Sequence, residues 1–236
     1  MIEMKTVSRR NMIRSAIYTA ISGMIPHSFS GIYFLQDRPD RPKEPTYLKL
    51  HHSGELKKRG EILWGMMEHC ELCPRMCGVN KLKGERGFCQ ANSDLEISSA
   101  HPHFGEEKPL VGKGGSGTIF MSNCSLRCVF RINYFISQEG EGSKRSIDQF
   151  AGMMLSLQKM GCPNINIVTP THYSPHILLA LDKAASKGLK VPLVYNTCGW
   201  ERVEILKMLD GVVDIYLPDF KYFDGEKAAR YSSGAS

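Results

Sequence analysis

Two rhythms of apolar and polar residues run through the C-terminal half of the chain. Short apolar runs at Ile119–Asn123, Ile165–Thr169, Val191–Thr197 and Val212–Leu217 predict strands, because they are brief and rich in strand formers. Between them, Ser146–Met160 carries Phe150, Met153, Met154, Leu157 and Met160 at the spacing of one helix face. Pro175–Ser186 reads as a second helix, with Ser174 as N-cap, Pro175 in the first turn and Gly188 as the stop. Glu201–Leu209 predicts a third. Strands alternating with helices predict a parallel sheet with right-handed crossovers, hence an α/β fold. A full barrel of this kind needs ~250 residues, and only residues 116–236 remain for it. The expected architecture is therefore a partial, incomplete β/α barrel of parallel strands, cut short after about four of them.

Composition fits a folded globular chain: of 236 residues, 42% are hydrophobic and 23% charged. No apolar run approaches the ~20 residues of a membrane span. The net charge of +6 would suggest a nucleic-acid partner if it lay on the fold. Residues 1–60, however, hold 11 Lys/Arg against 5 Asp/Glu, which leaves 19 of each in 61–236. The folded part has no surplus charge for a phosphate backbone, so no nucleic-acid partner is expected.

The basic excess sits in what reads as an address. Ser8-Arg9-Arg10-Asn11-Met12-Ile13-Arg14, then a weakly apolar stretch from Ser15 to Ile25, then His27-Ser28-Phe29-Ser30, has the order of a twin-arginine export signal. The expected organisation is a signal segment over 1–30, a linker and helix over 31–69, a four-cysteine module over 70–115 and the partial barrel over 116–236. Export would place the protein in the periplasm or cell envelope; the alternative, an amphipathic N-terminal helix, would leave it cytoplasmic.

Eight cysteines fall into two groups and two singles. Cys70, Cys73, Cys77 and Cys89 stand among Gly78, Gly84 and Gly87. Thiols only two or three residues apart make poor disulfide partners but good ligands of one metal. Zinc and an iron–sulfur cluster both accept four thiolates, so the spacing leaves the metal open. The second group, Cys124 and Cys128, follows the strand ending at Asn123. Two cysteines four apart are by themselves equally compatible with a pair of buried thiols.

The Cys70–Cys89 module, His103-Phe104-Gly105-Glu106-Glu107, the strand Gly117–Asn123 with its cysteine loop, the Asn164–His172 phrase, Val194–Thr197 and Asp214–Tyr222 occur in one order from about Tyr47 to the last residue. Together they resemble the radical S-adenosylmethionine (SAM) proteins, in the branch similar to pyruvate formate-lyase activating enzyme. The resemblance implies a [4Fe–4S] cluster on three cysteines spaced CxxxCxxC. It also implies S-adenosyl-L-methionine on the open iron, with reductive cleavage to a 5′-deoxyadenosyl radical. Cys124 and Cys128 match the first two ligands. The third position is Arg131, flanked by Ile132 and Phe135. Arginine has no lone pair for iron, so an impaired or inactive cluster site is expected. Cys198, closing the strand Val191–Thr197, is the candidate replacement. Cys162 precedes its strand and belongs at the other end.

Residues at the C-terminal ends of the strands are the remaining candidates for cofactor binding: Asn123, Thr169, Thr171, His172, Asn196, Thr197, Asp219 and Lys221. Each also has an ordinary reading. His172 could bond nearby backbone, Asn196 and Thr197 could shape a turn at Gly199, and Asp219 with Lys221 could form an exposed ion pair. Glu106 and Glu107 read as solvated loop charges. The resemblance implies a protein substrate of the glycyl-radical type and a low-potential electron donor as partners. The rival reading is a non-catalytic metal-binding interaction protein that uses the four-cysteine module.

Overall fold

The computed structural model describes residues 44–233. The twin-arginine-like segment and the start of the linker lie outside the described residues. Two helices, α1 (Tyr47–His52) and α2 (Glu55–Gly65), come first. The cysteine module follows as loops around a 3-10 turn at Lys81–Lys83. Then come β1 (Leu95–His103), α3 (Lys108–Val111), β2 (Ser116–Met121), α4 (Tyr134–Ser137), β3 (Ser143–Arg145) and α5 (Ile147–Lys159). The chain continues through β4 (Ile165–Val168), α6 (Ser174–Ser186), β5 (Leu193–Thr197), α7 (Val203–Met208), β6 (Ile215–Pro218) and α8 (Gly225–Ser232). None of the described helices is long and apolar enough to cross a membrane.

The six strands form one sheet in the order β3-β1-β2-β4-β5-β6. Strands β2, β4, β5 and β6 run parallel and are the four expected from their apolar runs. Strand β1 pairs antiparallel with both β2 and β3, which the sequence reading did not foresee. The sheet is open, with β3 and β6 as its edges; it does not close into a barrel. One register row, Ile119, Ile167, Tyr195 and Tyr216, explains the gradient across it. The first three are fully buried, whereas Tyr216 on the edge strand is 40% exposed.

Helix α5 begins on a capping box. The Ser146 hydroxyl accepts from the Gln149 N–H and the Gln149 side chain accepts from the Ser146 N–H, which satisfies two otherwise orphaned donors. Its buried face is Phe150, Ala151, Met154 and Leu157, whereas Met160, counted into the stripe, is exposed. Helix α6 starts at Ser174 itself, because a 3-10 turn at Thr171–Tyr173 leads straight into it and makes Tyr173 the N-cap. Gly188, at φ 93°, ends it as expected. Helix α2 lies against α6 closely at Gly60, where a Cβ would stand 2.9 Å from Leu179 Cδ2. That crossing brings Trp64 onto the His176 ring, with centroids 4.8 Å apart.

Candidate functional site

The C-terminal ends of the parallel strands carry the loops where a site in such a sheet belongs. The loop after β2 turns at Asn123 and Arg127, both left-handed at φ 71° and 48°. The turn folds Cys124 and Cys128 inward until both are fully buried. Cys198, at the end of β5, joins them: these three thiols and Leu126 form a small apolar nest against Trp200, separate from the main core. The Leu126 N–H donates to Cys124 Sγ at 3.4 Å and the Ser232 hydroxyl to Cys128 Sγ at 2.8 Å. Burial pushes the Cys198 thiol up to about 12, reinforced by the neighbouring Cys124 and Glu201. Arg131 donates to Thr169 Oγ1 at 3.0 Å, within electrostatic reach of Cys198. Cys162 sits at the opposite end of the sheet, donating to the Gly114 carbonyl at 3.7 Å.

Beside this nest lies a half-buried glutamate, Glu201, which the sequence pattern reads as a helix start. Glu201 Oε1 accepts from Thr171 Oγ1 at 2.6 Å and from Thr197 Oγ1. Its Oε2, like the buried Tyr195 hydroxyl, has no hydrogen-bond partner. Burial pushes the Glu201 carboxyl up to about 7, with the two threonine hydroxyls pulling it partly back. Its sequence signal was faint: one carboxylate three residues beyond the strand-end Cys198.

The other candidates divide. Thr171 and Thr197 meet at Glu201, and Thr169 meets Arg131. Asn196 stands half-buried at the end of β5, where its carbonyl accepts from the Thr169 N–H at 2.9 Å. His172 is held inside the fold, 1% exposed, with Nε2 at 2.9 Å from the Ser122 carbonyl. Burial pulls its imidazole down to about 3, helped by the charge of Lys81. Its role here is to tie the β4–α6 turn to the end of β2. Asn123 is buried and donates to Glu96 Oε2 at 2.8 Å. Lys221, its side chain 9% exposed, reaches back to Asp219, whose carboxylate is largely exposed, so the pair is only half in solvent. Glu106 is more than a solvated charge: it accepts from the buried Asn166 amide at 3.1 Å.

The four-cysteine module is a knuckle closed by two backbone bonds, Cys70 N–H to the Val79 carbonyl at 3.0 Å and Gly78 N–H to the Cys70 carbonyl at 3.1 Å. Cys70, Cys73 and Cys89 are buried and Cys77 half-buried. Gly87 must lack a side chain, because a Cβ there would stand 2.5 Å from Cys77 Sγ. Burial pushes the Cys70 thiol up to about 11, the nearby Lys81 lowering it and Cys77 and Cys89 adding to it. Cys73 goes up to about 12 for the same first reason, and its other three cysteines are all within electrostatic reach. All eight thiols are free. Among the described residues, no three His, Cys, Asp or Glu side chains are drawn together tightly enough to hold an ion as they stand. The donor set nevertheless suits a thiophilic metal: four thiols in mutual electrostatic range, a cradle that a Cβ would fill, and the buried cation of Lys81 beside one sulfur.

Arg75 joins the two cysteine groups. It projects from the Cys73–Cys77 knuckle, and its guanidinium lies 3.5 Å from the ring centre of Phe88 and 5.1 Å from that of Trp200. Its Nε donates to the Ser125 carbonyl at 3.0 Å, and its Nη atoms donate to the carbonyls of Ser233 and Ser232 at 2.7 Å each.

No protein-family model and no solved structure matches the chain. It is similar to the uncharacterized protein MJ0674 of Methanocaldococcus jannaschii, with 34% identity over 180 residues, 73% of this chain and 51% of that relative. The chain thus spans about half the length of the curated relative it matches.

Proposed function

We propose that the chain is a radical-SAM-like iron–sulfur protein related to glycyl-radical-enzyme activases, impaired because Arg131 stands at the third cluster position. The observation that carries this reading is the buried nest of Cys124, Cys128 and Cys198 at the C-terminal ends of β2 and β5. Cys124 and Cys128 would hold the cluster, each sulfur already receiving one hydrogen bond. Cys198 is the one further thiol in the nest and would serve as the third donor. Arg131 is fixed at Thr169, so it places a permanent cation at the strand ends rather than a ligand. When bound, a [4Fe–4S] cluster supplies the electron that cleaves S-adenosyl-L-methionine. Around it, Thr171 and Thr197 orient the Glu201 carboxylate, and Asn196 and Thr169 line the edge. A protein substrate and a low-potential electron donor are the partners this reading requires.

The test is anaerobic reconstitution of the full chain, with iron, sulfide and 5′-deoxyadenosine measured under strong reductant. Wild-type protein should hold iron poorly at Cys124 and Cys128, Arg131→Cys should raise the iron retained there, and Cys198→Ala should lower it. A double Cys124→Ala/Cys128→Ala variant gives the background from the N-terminal module. If Arg131→Cys retains no more iron than that background, the reading fails.

A second reading, a metal-binding interaction protein, is favoured by the exposed apolar side chains of the cysteine loop and its continuation: Val129, Phe130, Ile132 and Phe135 are 53% to 99% exposed. Metal held by Cys70, Cys73, Cys77 and Cys89 alone, with no 5′-deoxyadenosine even from Arg131→Cys, would select it.

A further inference from the structure

The side chain of Lys81 is buried in the protein interior, 1% exposed. Its backbone is pinned from three directions: its N–H donates to the Met67 carbonyl at 2.9 Å, and its carbonyl accepts from Gly84 at 3.0 Å and from Ser93 at 3.2 Å. The side chain is thereby committed inward, and its Nζ donates to Cys89 Sγ at 3.2 Å. Among the described residues no carboxylate pairs with this ammonium. A buried ammonium without a counter-charge is strongly disfavoured, and a neutral thiol is a weak acceptor. Asp94 and Glu96 lie beyond ion-pair distance and are engaged by Lys144 and Arg86, so the group the ammonium touches is a sulfur of the knuckle. Four thiolates around a divalent ion, or around a cluster core of the same charge, leave a net negative centre. A lysine ammonium touching one of its sulfurs would then be paired rather than stranded.

We infer that Lys81 is the charge-compensating N–H···S donor of a net-anionic thiolate–metal centre built by Cys70, Cys73, Cys77 and Cys89. The inference rests on the reading that this module binds metal. Lys81 is a positioning residue in that centre: it ligates nothing, but it fixes the orientation of Cys89 and lowers the energy of its thiolate. Removal of such an outer partner typically costs about 10- to 100-fold in metal affinity.

The experiment uses the full chain, reduced and oxygen-free, titrated with cobalt(II) and followed by the sulfur-to-cobalt charge-transfer absorption in the near ultraviolet. All variants carry Cys124→Ala and Cys128→Ala, so that the signal reports the module. The reference chain should develop the band. Lys81→Met should bind cobalt about tenfold or more weakly and move the band to lower energy, because the thiolate loses its stabilising cation. Lys81→Gln restores an N–H donor without charge and should fall between the two. If Lys81→Met gives no cooperative melt without metal, Lys81→Gln is read in its place against the same two criteria. An unmoved band with unchanged affinity in the folded variant overturns the role of Lys81 while leaving the metal site standing. No charge-transfer band in the reference chain overturns the metal reading itself, and the inference with it.

Discussion

Replacing Glu201 with glutamine isolates the energetics of the polar cluster at the strand ends. In the folded chain the carboxyl is raised from 4.5 to about 7 by burial, and its Oε2 has no partner. The fold therefore prefers the protonated form. The unfolded chain ionises first as pH rises, so stability is complete below about 4.5 and is lost progressively as pH rises through 7. At roughly 1.4 kcal/mol for each tenfold change in proton affinity, the loss is at most about 3 kcal/mol, reduced by whatever solvent reaches this half-buried side chain. Glu201→Gln keeps the shape and the acceptor oxygen for Thr171 and Thr197 but cannot ionise. The wild-type chain should therefore lose stability relative to the variant between pH 4.5 and 8. Urea denaturation at closely spaced pH values, with thiols kept reduced, measures both profiles. His172 and His176 oppose this trend at the acid end, since burial lowers them to about 3 and about 4, but they are common to both proteins and cancel in the difference. Parallel profiles would refute the argument, because the carboxylate would then be as comfortable inside the fold as in water.

Three further outcomes follow from the same geometry. Below pH 6.5 the buried imidazole of His172 should make the wild-type chain progressively less stable as the unfolded chain takes up the proton first. His172→Gln, which can still donate to the Ser122 carbonyl, should flatten that acid limb in the same urea series. Ser146→Ala breaks the capping box of α5 and should cost about 1 kcal/mol, read as a lower melting temperature with unchanged far-ultraviolet spectrum. Gly87→Ala places a methyl against Cys77 Sγ and should reduce cobalt binding at the knuckle; tight binding equal to wild type would show that Cys77 is not needed for it.

The four parallel strands were legible because each is an apolar run between turn signals; β2, β4 and β5 are buried along most of their length, and β6 keeps the apolar pattern although it forms an edge. Strand β1 was not. Of Leu95–His103 only Leu95 and Ile97 are buried, and Pro102 within it argues against a strand on local grounds. Strand β3 is Ser143-Lys144-Arg145, three polar residues that extend because β1 offers them an edge. The meeting of Cys198 with Cys124 and Cys128 followed from strand ends alone, since strands of one parallel run bring their C-terminal loops to one side, here across the intervening β4. Glu201 and Lys81 were invisible for a shared reason. A charged residue in a loop or at a helix start looks solvated, and only the folded loops, which bring Thr171 and Thr197 onto Glu201 and the Cys89 sulfur onto Lys81, enclose it. His172, read from sequence either as a cofactor contact or as a histidine bonded to nearby backbone, is buried with Nε2 against the Ser122 carbonyl, a partner fifty residues away that only the sheet brings to it.

Arg75 gives the two thiol groups a common neighbour. One guanidinium spans the stretch from the Phe88 ring beside Cys89 to the Trp200 ring beside Cys198, and it ties down the end of α8 on the way. The same charge lies within electrostatic reach of sulfurs from both groups, Cys73 and Cys89 on one side and Cys124 and Cys128 on the other. A single side chain therefore staples the knuckle to the loop after β2 and to the last helix, and losing it would loosen three separate chain segments at once.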